Sequence, residues 1–273
     1  MGLRVNTNIA SITAQRHTET VTARLQGNYS RLASGLRIST AADDAAGLAI
    51  SEKMRSQIRS YAVAGRNAQD GISLAQTAEG ALQEVSNILG RMRELSIQSA
   101  NGTLTTADRS TIDLEFQAMV SELDRISEQT QFNGLPLLDG TSDNIPIQIG
   151  INSGERIEIL PENTQASELG VDTINILNLD GASEALASLD TAINSVNSSR
   201  GRLGAAQNRM TSALRSIQTA RENLSAAESR IRDVDVASES ADLTRNSIMQ
   251  QAATSVLQQA NVQPQIALSL LQG

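Results

Sequence analysis

The feature that most constrains the fold is a long apolar stripe in the last third of the chain. Between residues 186 and 231, apolar side chains recur at alternating spacings of three and four, the pattern of a coiled-coil seam. A helix over this range is about 70 Å long at about 1.5 Å per residue. Because such a helix cannot bury its stripe alone, it needs partner helices along its length. The predicted seam residues on it are Leu189, Ile193, Val196, Leu203, Met210, Leu214, Ile217 and Leu224.

Four positions of this stripe are polar, namely Arg200, Gln207, Arg221 and Glu228. They permit two interpretations. Either the register of the seam is displaced there, or the polar residues fix the alignment of neighbouring helices, as they do in coiled coils. Ser183, three residues before the stripe, is the predicted N-cap of the helix.

Partner helices are predicted in the first half of the chain. Apolar residues continue the three-four alternation over residues 75–92 and again over 112–126, with an Asn-Gly turn signal at residues 101–102 between them. Thr105 and Asp108 form a capping-box pattern before the second stripe. Three striped helices predict a helical bundle. The seam residues of the first stripe include Leu82, Val85, Leu89 and Met92.

Between the helices the period of the apolar residues changes to two. Isoleucine stands at every second position from 145 to 151, and again at 157 and 159 beyond a glycine-containing turn. This alternation predicts a β-hairpin. The predicted fold class is therefore mainly α, an elongated helical bundle or coiled coil of long helices, with a small β-hairpin region at about residues 135–175.

The two ends of the chain carry opposite charge. Residues 1–42 hold five arginines and one glutamate, a net charge of +4, whereas residues 233–273 hold four acids and one arginine, a net charge of −3. We expect the terminal helices to pair as an antiparallel coiled coil, to be poorly ordered in the monomer and to become helical on assembly. The predicted polymerisation residues are Leu25, Tyr29, Leu32, Leu36, Ile248, Ala252, Val256, Leu257, Leu270 and Leu271.

Composition argues against several classes of protein. A formal net charge of −8 disfavours sequence-independent nucleic-acid binding. The chain has no cysteine, and His17 is its single histidine, which argues against a zinc site or a Ser-His-Asp triad. Asp43 and Asp44 suit the N-terminus of a helix better than a metal site. We therefore expect no enzyme, no cofactor, no metal and no membrane insertion.

Several segments match the signatures of one protein family. Residues 31–51, RLASGLRISTAADDAAGLAIS, are similar to the N-terminal signature of bacterial flagellins. Only residues 171–180 separate the hairpin region from the last long helix, so the chain resembles a short, core-only flagellin that lacks the variable outer domains. The other matching segments are residues 5–8, 94–102, 129–134, 229–235, 248–257 and 269–271.

The resemblance implies a structural subunit of the bacterial flagellar filament that serves motility. Such a subunit is exported unfolded by the type III route, lies outside the cell and becomes ordered on assembly. Residues 1–42 with 233–273 would form the terminal polymerisation domain of the inner tube, and residues 43–232 the bundle and hairpin of the outer tube. The implied partners are further copies of the chain, an export chaperone, and filament cap and hook-junction proteins.

The resemblance also implies recognition by the host Toll-like receptor 5 at Arg91, Leu95, Gln98 and Glu115. The first three share a helix face by their spacing, and a second helix can bring Glu115 alongside. The same face can instead be a packing surface between subunits. Alternative functions are a hook–filament junction protein or another type III-exported coiled-coil protein.

Overall fold

The computed structural model describes residues 7–272, with side chains as far as residue 264. The described part contains five α-helices and four short strands. Residues 1–56 with 223–273 form one compact unit, and residues 57–222 form the other. None of the described helices is long and apolar enough to cross a bilayer. The elements in chain order are α1 (Ile9–Ser34), α2 (Ala45–Ser99), α3 (Thr106–Gln129), β1 (Gln131–Phe132), β2 (Leu135–Pro136), β3 (Ile145–Gln148), β4 (Arg156–Ile159), α4 (Leu179–Arg232) and α5 (Val236–Gln272).

The unit of residues 57–222 has one apolar core to which α2, α3 and α4 all contribute. Leu82 and Leu89 of α2, Phe116 of α3 and Leu189 of α4 are completely buried in it. The strand region adds further buried aliphatic side chains to the same core. The prediction of a mainly α fold of long helices with a small hairpin region is confirmed. The other predicted seam residues Val85, Met92, Val196, Leu203, Met210 and Ile217 are also buried.

The buried face of α4 alternates large and small side chains. Between Leu189, Val196 and Leu203 lie Ala192 and Ser199, both buried. Each small residue stands one position before a residue of the predicted stripe, so the predicted register is displaced by one at alternate positions. Small side chains carry little weight in an apolar pattern, so the pattern predicts their larger neighbours as seam residues. The predicted seam residues Ile193, Leu214 and Leu224 are half-buried, as are the polar Arg200 and Gln207.

Helix α4 begins earlier than its predicted cap. The side chain of Asn178 accepts a hydrogen bond from the Gly181 backbone N–H at 2.6 Å, so Asn178 caps the helix. Ser183 lies inside the first turns, and its prediction as the N-cap is wrong. A side chain at Gly181 would place its Cβ 2.4 Å from the carbonyl oxygen of Asn175, so this start requires glycine.

Two short hairpins fill the connection between α3 and α4. The predicted one is confirmed: β3 pairs antiparallel with β4, with Ile145 opposite Ile159. The carboxylate of Glu155 accepts hydrogen bonds from Asn152 in its turn, and these hold the pKa of Glu155 below its usual range. A second hairpin joins β1 to β2 through Asn133 and Gly134, both at positive φ. An Asn-Gly pair is a hairpin signal in the sequence.

In the unit of residues 1–56 and 223–273, α1 has a cap at each end. Asn8 accepts a hydrogen bond from the backbone N–H of Ser11, and Gly35, at φ 70°, donates its N–H to the carbonyl of Arg31. Because Gly35 ends the helix, Leu36 is not part of the α1 stripe in which it was predicted. Leu36 instead forms a β-bridge with Asp233.

Candidate assembly surface

Helices α1 and α5 pack against each other along their length. Asn8 donates a hydrogen bond to the carbonyl of Ala260 at 2.7 Å, and Asn246 donates one to the side chain of Asn28 at 2.8 Å. Residue numbers therefore rise along α1 as they fall along α5, so the pairing is antiparallel. The prediction that the terminal helices form an antiparallel coiled coil is confirmed.

The seam between these two helices contains few large apolar residues. Its buried and half-buried positions follow the three-four alternation on both helices. Alanine and polar residues occupy most of them, so the pairing buries little apolar area and is weakly driven. The seam positions are Ser11, Ala14, Thr18, Val21, Leu25, Asn28 and Leu32 on α1, and Glu239, Leu243, Asn246, Gln250, Ala253, Leu257 and Ala260 on α5.

The predicted polymerisation residues fall on two different faces. Leu25 is buried in the seam, and Leu32 and Leu257 are half-buried there, with Leu36 half-buried beyond the end of α1. The others that the structure describes point to solvent, and the side chains of Leu270 and Leu271 lie outside the described residues. The exposed ones are Tyr29 (61%), Ile248 (61%), Ala252 and Val256 (60%).

The exposed residues of α5 form an outward stripe, which we define as Ile248, Met249, Ala252 and Val256. Ile248 and Leu257 are nine residues apart, which places them on opposite faces of a helix at about 100° per residue. Helix α5 thus has one face committed to α1 and a second apolar face left uncovered in the single chain. Contiguous exposed apolar surface is typical of interaction sites.

Charge contributes less to the pairing than the net charges of the two ends suggest. Among the described side chains, the ion pair that joins α1 to α5 is Arg31 with Glu239, whose N–O distance is 3.7 Å. Arg245 instead pairs with Asp242 on its own helix. The opposite net charges therefore act as a diffuse attraction between the two ends.

The junction after α1 is held to the end of α4 by backbone hydrogen bonds. The N–H of Arg37 donates to the carbonyl of Arg232 at 2.6 Å, and the N–H of Val234 donates to the carbonyl of Gly35 at 3.0 Å. The guanidinium of Arg232 donates to Glu52, and this hydrogen bond is the main reason that the pKa of Glu52 lies below its usual range. The segment that follows α1 is thus held to the segment that joins α4 to α5.

Asp43 closes the turn that leads into α2. Its carboxylate accepts hydrogen bonds from the backbone N–H and the hydroxyl of both Thr40 and Ser39. These hydrogen bonds, those of Thr40 foremost, lower the pKa of Asp43 to about 2. Asp44 caps α2 by accepting from the N–H of Gly47 at 2.9 Å. The acid pair therefore belongs to a helix start, as its sequence suggested.

The four residues expected at the receptor surface separate into two groups. Arg91 donates to Glu115 of α3 at 2.9 and 2.7 Å and to Glu94 at 3.0 Å, and these bonds raise the pKa of Arg91. Gln98 is exposed on the same helix. Leu95 is 1% exposed and belongs to the apolar core, so its side chain is not on the surface that it was expected to share. The spacing of four and three predicts that Leu95 shares a helix face with Arg91 and Gln98. Leu95 instead lies in the core that also contains Ile112 of α3.

Sequence reasoning missed the polar residues of the α1–α5 seam. Asn28 and Glu239 are less than 10% exposed, although both residue types are ordinarily at the surface. The available signal was their three-four spacing to Leu25 and Leu32 on α1 and to Leu243 on α5.

Known proteins resemble this chain over nearly its whole length. The bacterial flagellin N-terminal helical region matches residues 5–143, and the bacterial flagellin C-terminal helical region matches residues 186–271. A flagellin from Halalkalibacterium halodurans is 47% identical, covering 98% of this chain and 99% of that protein. The flagellar filament 33 kDa core protein of Treponema phagedenis is 44% identical with the same coverage.

A solved structure agrees with these relatives. The crystal structure of Bacillus cereus flagellin is 34% identical, with a TM-score of 0.52, and the match covers 60% of this chain and 94% of that one. The long helices, the small hairpins and the paired ends described above therefore accompany the sequence signatures. This chain belongs to the bacterial flagellin family, as a short form without variable outer domains.

Proposed function

We propose that the chain is the structural subunit that polymerises into an extracellular flagellar filament. The observation that carries this proposal is the outward stripe of α5, which stays exposed although the opposite face of the helix is already paired with α1. Further copies of the same chain cover this stripe in a polymer. The family is structural, and its members are filament proteins, not enzymes.

Seeded growth tests the proposal. Purified protein is dissociated by heat, mixed with short filament seeds and followed by electron microscopy, with growth of the seeds expected. A truncation from Val234 onward removes α5 and should leave a soluble helical protein that does not elongate seeds. Filaments formed by that truncation contradict the proposed role of the terminal helices.

Assembly-coupled ordering of the ends is the mechanism we propose. The α1–α5 seam holds few large apolar residues, so the pair alone gains little from burial while it orders some eighty residues at about 1–2 kcal/mol each. Contacts with several neighbouring copies supply the remaining burial. Hydrogen exchange on the monomer tests this, because strong protection of residues 250–271 would contradict it.

The two parts of the chain form different layers of the filament. Residues 1–42 with 233–273 line the inner tube of the filament, and residues 43–232 form the outer tube. The grouping of both chain ends in one compact unit supports this division. Limited proteolysis distinguishes the two parts: a protease should remove the ends of the monomer first and leave the ends of the filament intact.

Other proteins bind the uncovered face of α5 before assembly and at the ends of the filament. An export chaperone covers the uncovered face of α5 before assembly, and filament cap and hook-junction proteins meet it at the two ends of the polymer. Co-elution of the chaperone with the full chain, and its loss with the truncation from Val234, is the expected result.

Host Toll-like receptor 5 recognises the monomer through the face formed by Arg91, Gln98 and Glu115. Leu95 is buried in the apolar core and is not part of this face. Arg91→Ala should weaken receptor activation by the monomer. The matched control is Arg125→Ala, which removes another exposed arginine paired with a glutamate on α3 and should leave activation unchanged.

A further inference from the structure

A cluster of buried polar side chains interrupts the seam between α1 and α5. Asn28 is 6% exposed and Glu239 is 8% exposed. Asn28 donates a hydrogen bond from Nδ2 to Oε1 of Glu239, and its Oδ1 accepts one from Nδ2 of Asn246 at 2.8 Å. Arg31 stands 3.7 Å from the same oxygen of Glu239. We call Asn28, Glu239 and Asn246 the polar cluster.

Burial makes the polar cluster sensitive to alignment. A carboxylate in a seam is tolerated only when donors meet it, because its loss of hydration is otherwise uncompensated. In the observed alignment Asn28 and Arg31 supply those donors. Glu239 and Asn246 are seven residues apart on α5 and contact Asn28 from either side along the seam. A slip of one heptad, about 10 Å, in one direction carries Glu239 past Ser34, the end of α1, and away from Asn28. A slip in the other direction puts Glu239 where Asn246 was and leaves the Asn246 amide without its partner. Both hydrogen bonds of Asn28 therefore form together only in the observed alignment.

The rest of the seam discriminates weakly between alignments. Ala253 and Ala260 on α5, and Leu25 and Leu32 on α1, stand one heptad apart, so a shift by one heptad replaces like with like at these positions. Shape complementarity alone gives little preference for one register. The hydrogen bonds of the polar cluster are specific to one register.

We propose that Asn28, Glu239 and Asn246 are positioning residues that set the register of the terminal coiled coil. The register fixes where the outward stripe of α5 stands relative to α1, and hence the surface that the next copy meets. This inference rests on the proposed function, since it concerns the geometry of the polymerisation surface. Polar residues at seam positions specify alignment in other coiled coils at a cost in stability.

Disulfide trapping tests the register directly, because the chain contains no cysteine. The side chains of Thr22 and Gln250 lie 3.4 Å apart, so the pair Thr22→Cys with Gln250→Cys reports the observed alignment. Thr22→Cys with Leu243→Cys or with Leu257→Cys reports slips of one heptad in either direction. Each pair is oxidised in the full chain under assembly conditions, and cross-links are counted in both the soluble and the sedimented fractions.

Only the native pair should cross-link when the polar cluster is intact. When Asn28, Glu239 and Asn246 are all replaced by leucine, at least one slipped pair should rise tenfold or more in yield. The conservative Glu239→Gln keeps an acceptor for Asn28 and should retain the native pattern. If the polar cluster only stabilised the pairing, its replacement would instead lower the yield of all three cross-links together.

Two outcomes overturn the proposal. One is a leucine-substituted chain that cross-links only through the native pair in both fractions. The other is a wild-type polar cluster in which slipped pairs form as readily as the native one. Failure of the unsubstituted protein to elongate seeds would count against the proposed function alone, because cross-linking in the soluble fraction still reports the register.

Discussion

Arg200 of α4 donates a hydrogen bond from Nε to Oε1 of Glu79 on α2 at 2.8 Å, joining the two helices within the bundle unit. The two side chains are 28% and 32% exposed, so water reaches the pair only in part. The other carboxylate oxygen of Glu79 is buried and meets no hydrogen-bond partner among the described residues. The pair is therefore incompletely satisfied, and we expect it to align the helices more than it stabilises them.

The first prediction separates these two roles. Glu79→Ala leaves the half-buried Arg200 without its acceptor and should lower the free energy of unfolding by about 1 kcal/mol. Replacing Glu79 and Arg200 together with leucine should return the free energy to the wild-type value or above it. Urea unfolding of the full chain, followed by circular dichroism, measures both. The more exposed pair of Arg93 and Asp190 is the control, and its removal should cost less.

The second prediction concerns the small residues of the α4 seam. Ala192 is 1% exposed, so Ala192→Leu forces a larger side chain into a filled space and should destabilise the bundle by about 1–3 kcal/mol. Ile193→Leu, one residue further along, keeps its volume at a half-buried position and should cost less. If thermal unfolding shows the same loss of stability for both variants, the seam does not alternate large and small residues.

Periodicity predicts the elements of this fold better than it predicts the individual seam residues. Periodicity predicted the helices and the hairpin because large aliphatic residues mark them clearly. The periodicity predicts alternate seam positions of α4 one residue too late. Ala192 and Ser199 carry little hydrophobic signal, although packing buries them. On α5 the apolar residues are spread around the helix. Which of Ile248 and Leu257 faces α1 depends on the complementary surface of α1, which a pattern within one helix does not contain.

The third prediction distinguishes a core residue from a surface residue on α2. Leu95→Ala removes a side chain that is 1% exposed and should lower the free energy of unfolding by about 2–5 kcal/mol. Gln98→Ala, three residues further on the same helix, should change it by less than about 0.5 kcal/mol. A loss of receptor activation by Leu95→Ala therefore has to be compared with the folded fraction, measured by circular dichroism on the same sample.

The fourth prediction is a dependence of stability on pH through Asp43. Its folded-state pKa of about 2 lies below the ordinary value of 3.8, so its carboxylate stabilises the fold above about pH 4. This contribution is lost as the pH falls through about 2. Asp43→Asn should therefore be less stable than the wild type at neutral pH, and the difference should shrink between about pH 4 and 2.

Acid titration of the unfolding midpoint measures this difference. The pKa values of Glu52, Asp108, Glu122 and Glu155 are also lowered by hydrogen bonds, so the wild type loses stability from several sites at once. The quantity of interest is thus the gap between the two proteins at each pH. Asp172→Asn, at an exposed aspartate before α4, controls for the loss of a surface carboxylate. A gap that stays constant down to pH 2 contradicts the assigned role of Asp43.

The last prediction tests the outward stripe without disturbing the pairing of the terminal helices. Ile248→Asn with Val256→Asn changes two side chains that are about 60% exposed, so the residues of the α1–α5 seam stay as they are. Because part of each side chain is already covered, its full burial in the filament contributes about 1–2 kcal/mol. Every 1.4 kcal/mol changes an association constant about tenfold. The concentration of free subunit that coexists with filaments should therefore rise at least tenfold for the double variant.

Gln251 and Gln258 provide the matched control. They are exposed on α5, seven residues apart, and at about 100° per residue they point away from both the seam and the outward stripe. Gln251→Asn with Gln258→Asn introduces the same two asparagines without removing apolar area, so seeds should grow nearly as with the wild type. Sedimentation of filaments at a series of subunit concentrations compares the three proteins. If both double variants raise the free subunit concentration equally, the whole circumference of α5 is buried on assembly and the outward stripe has no special role.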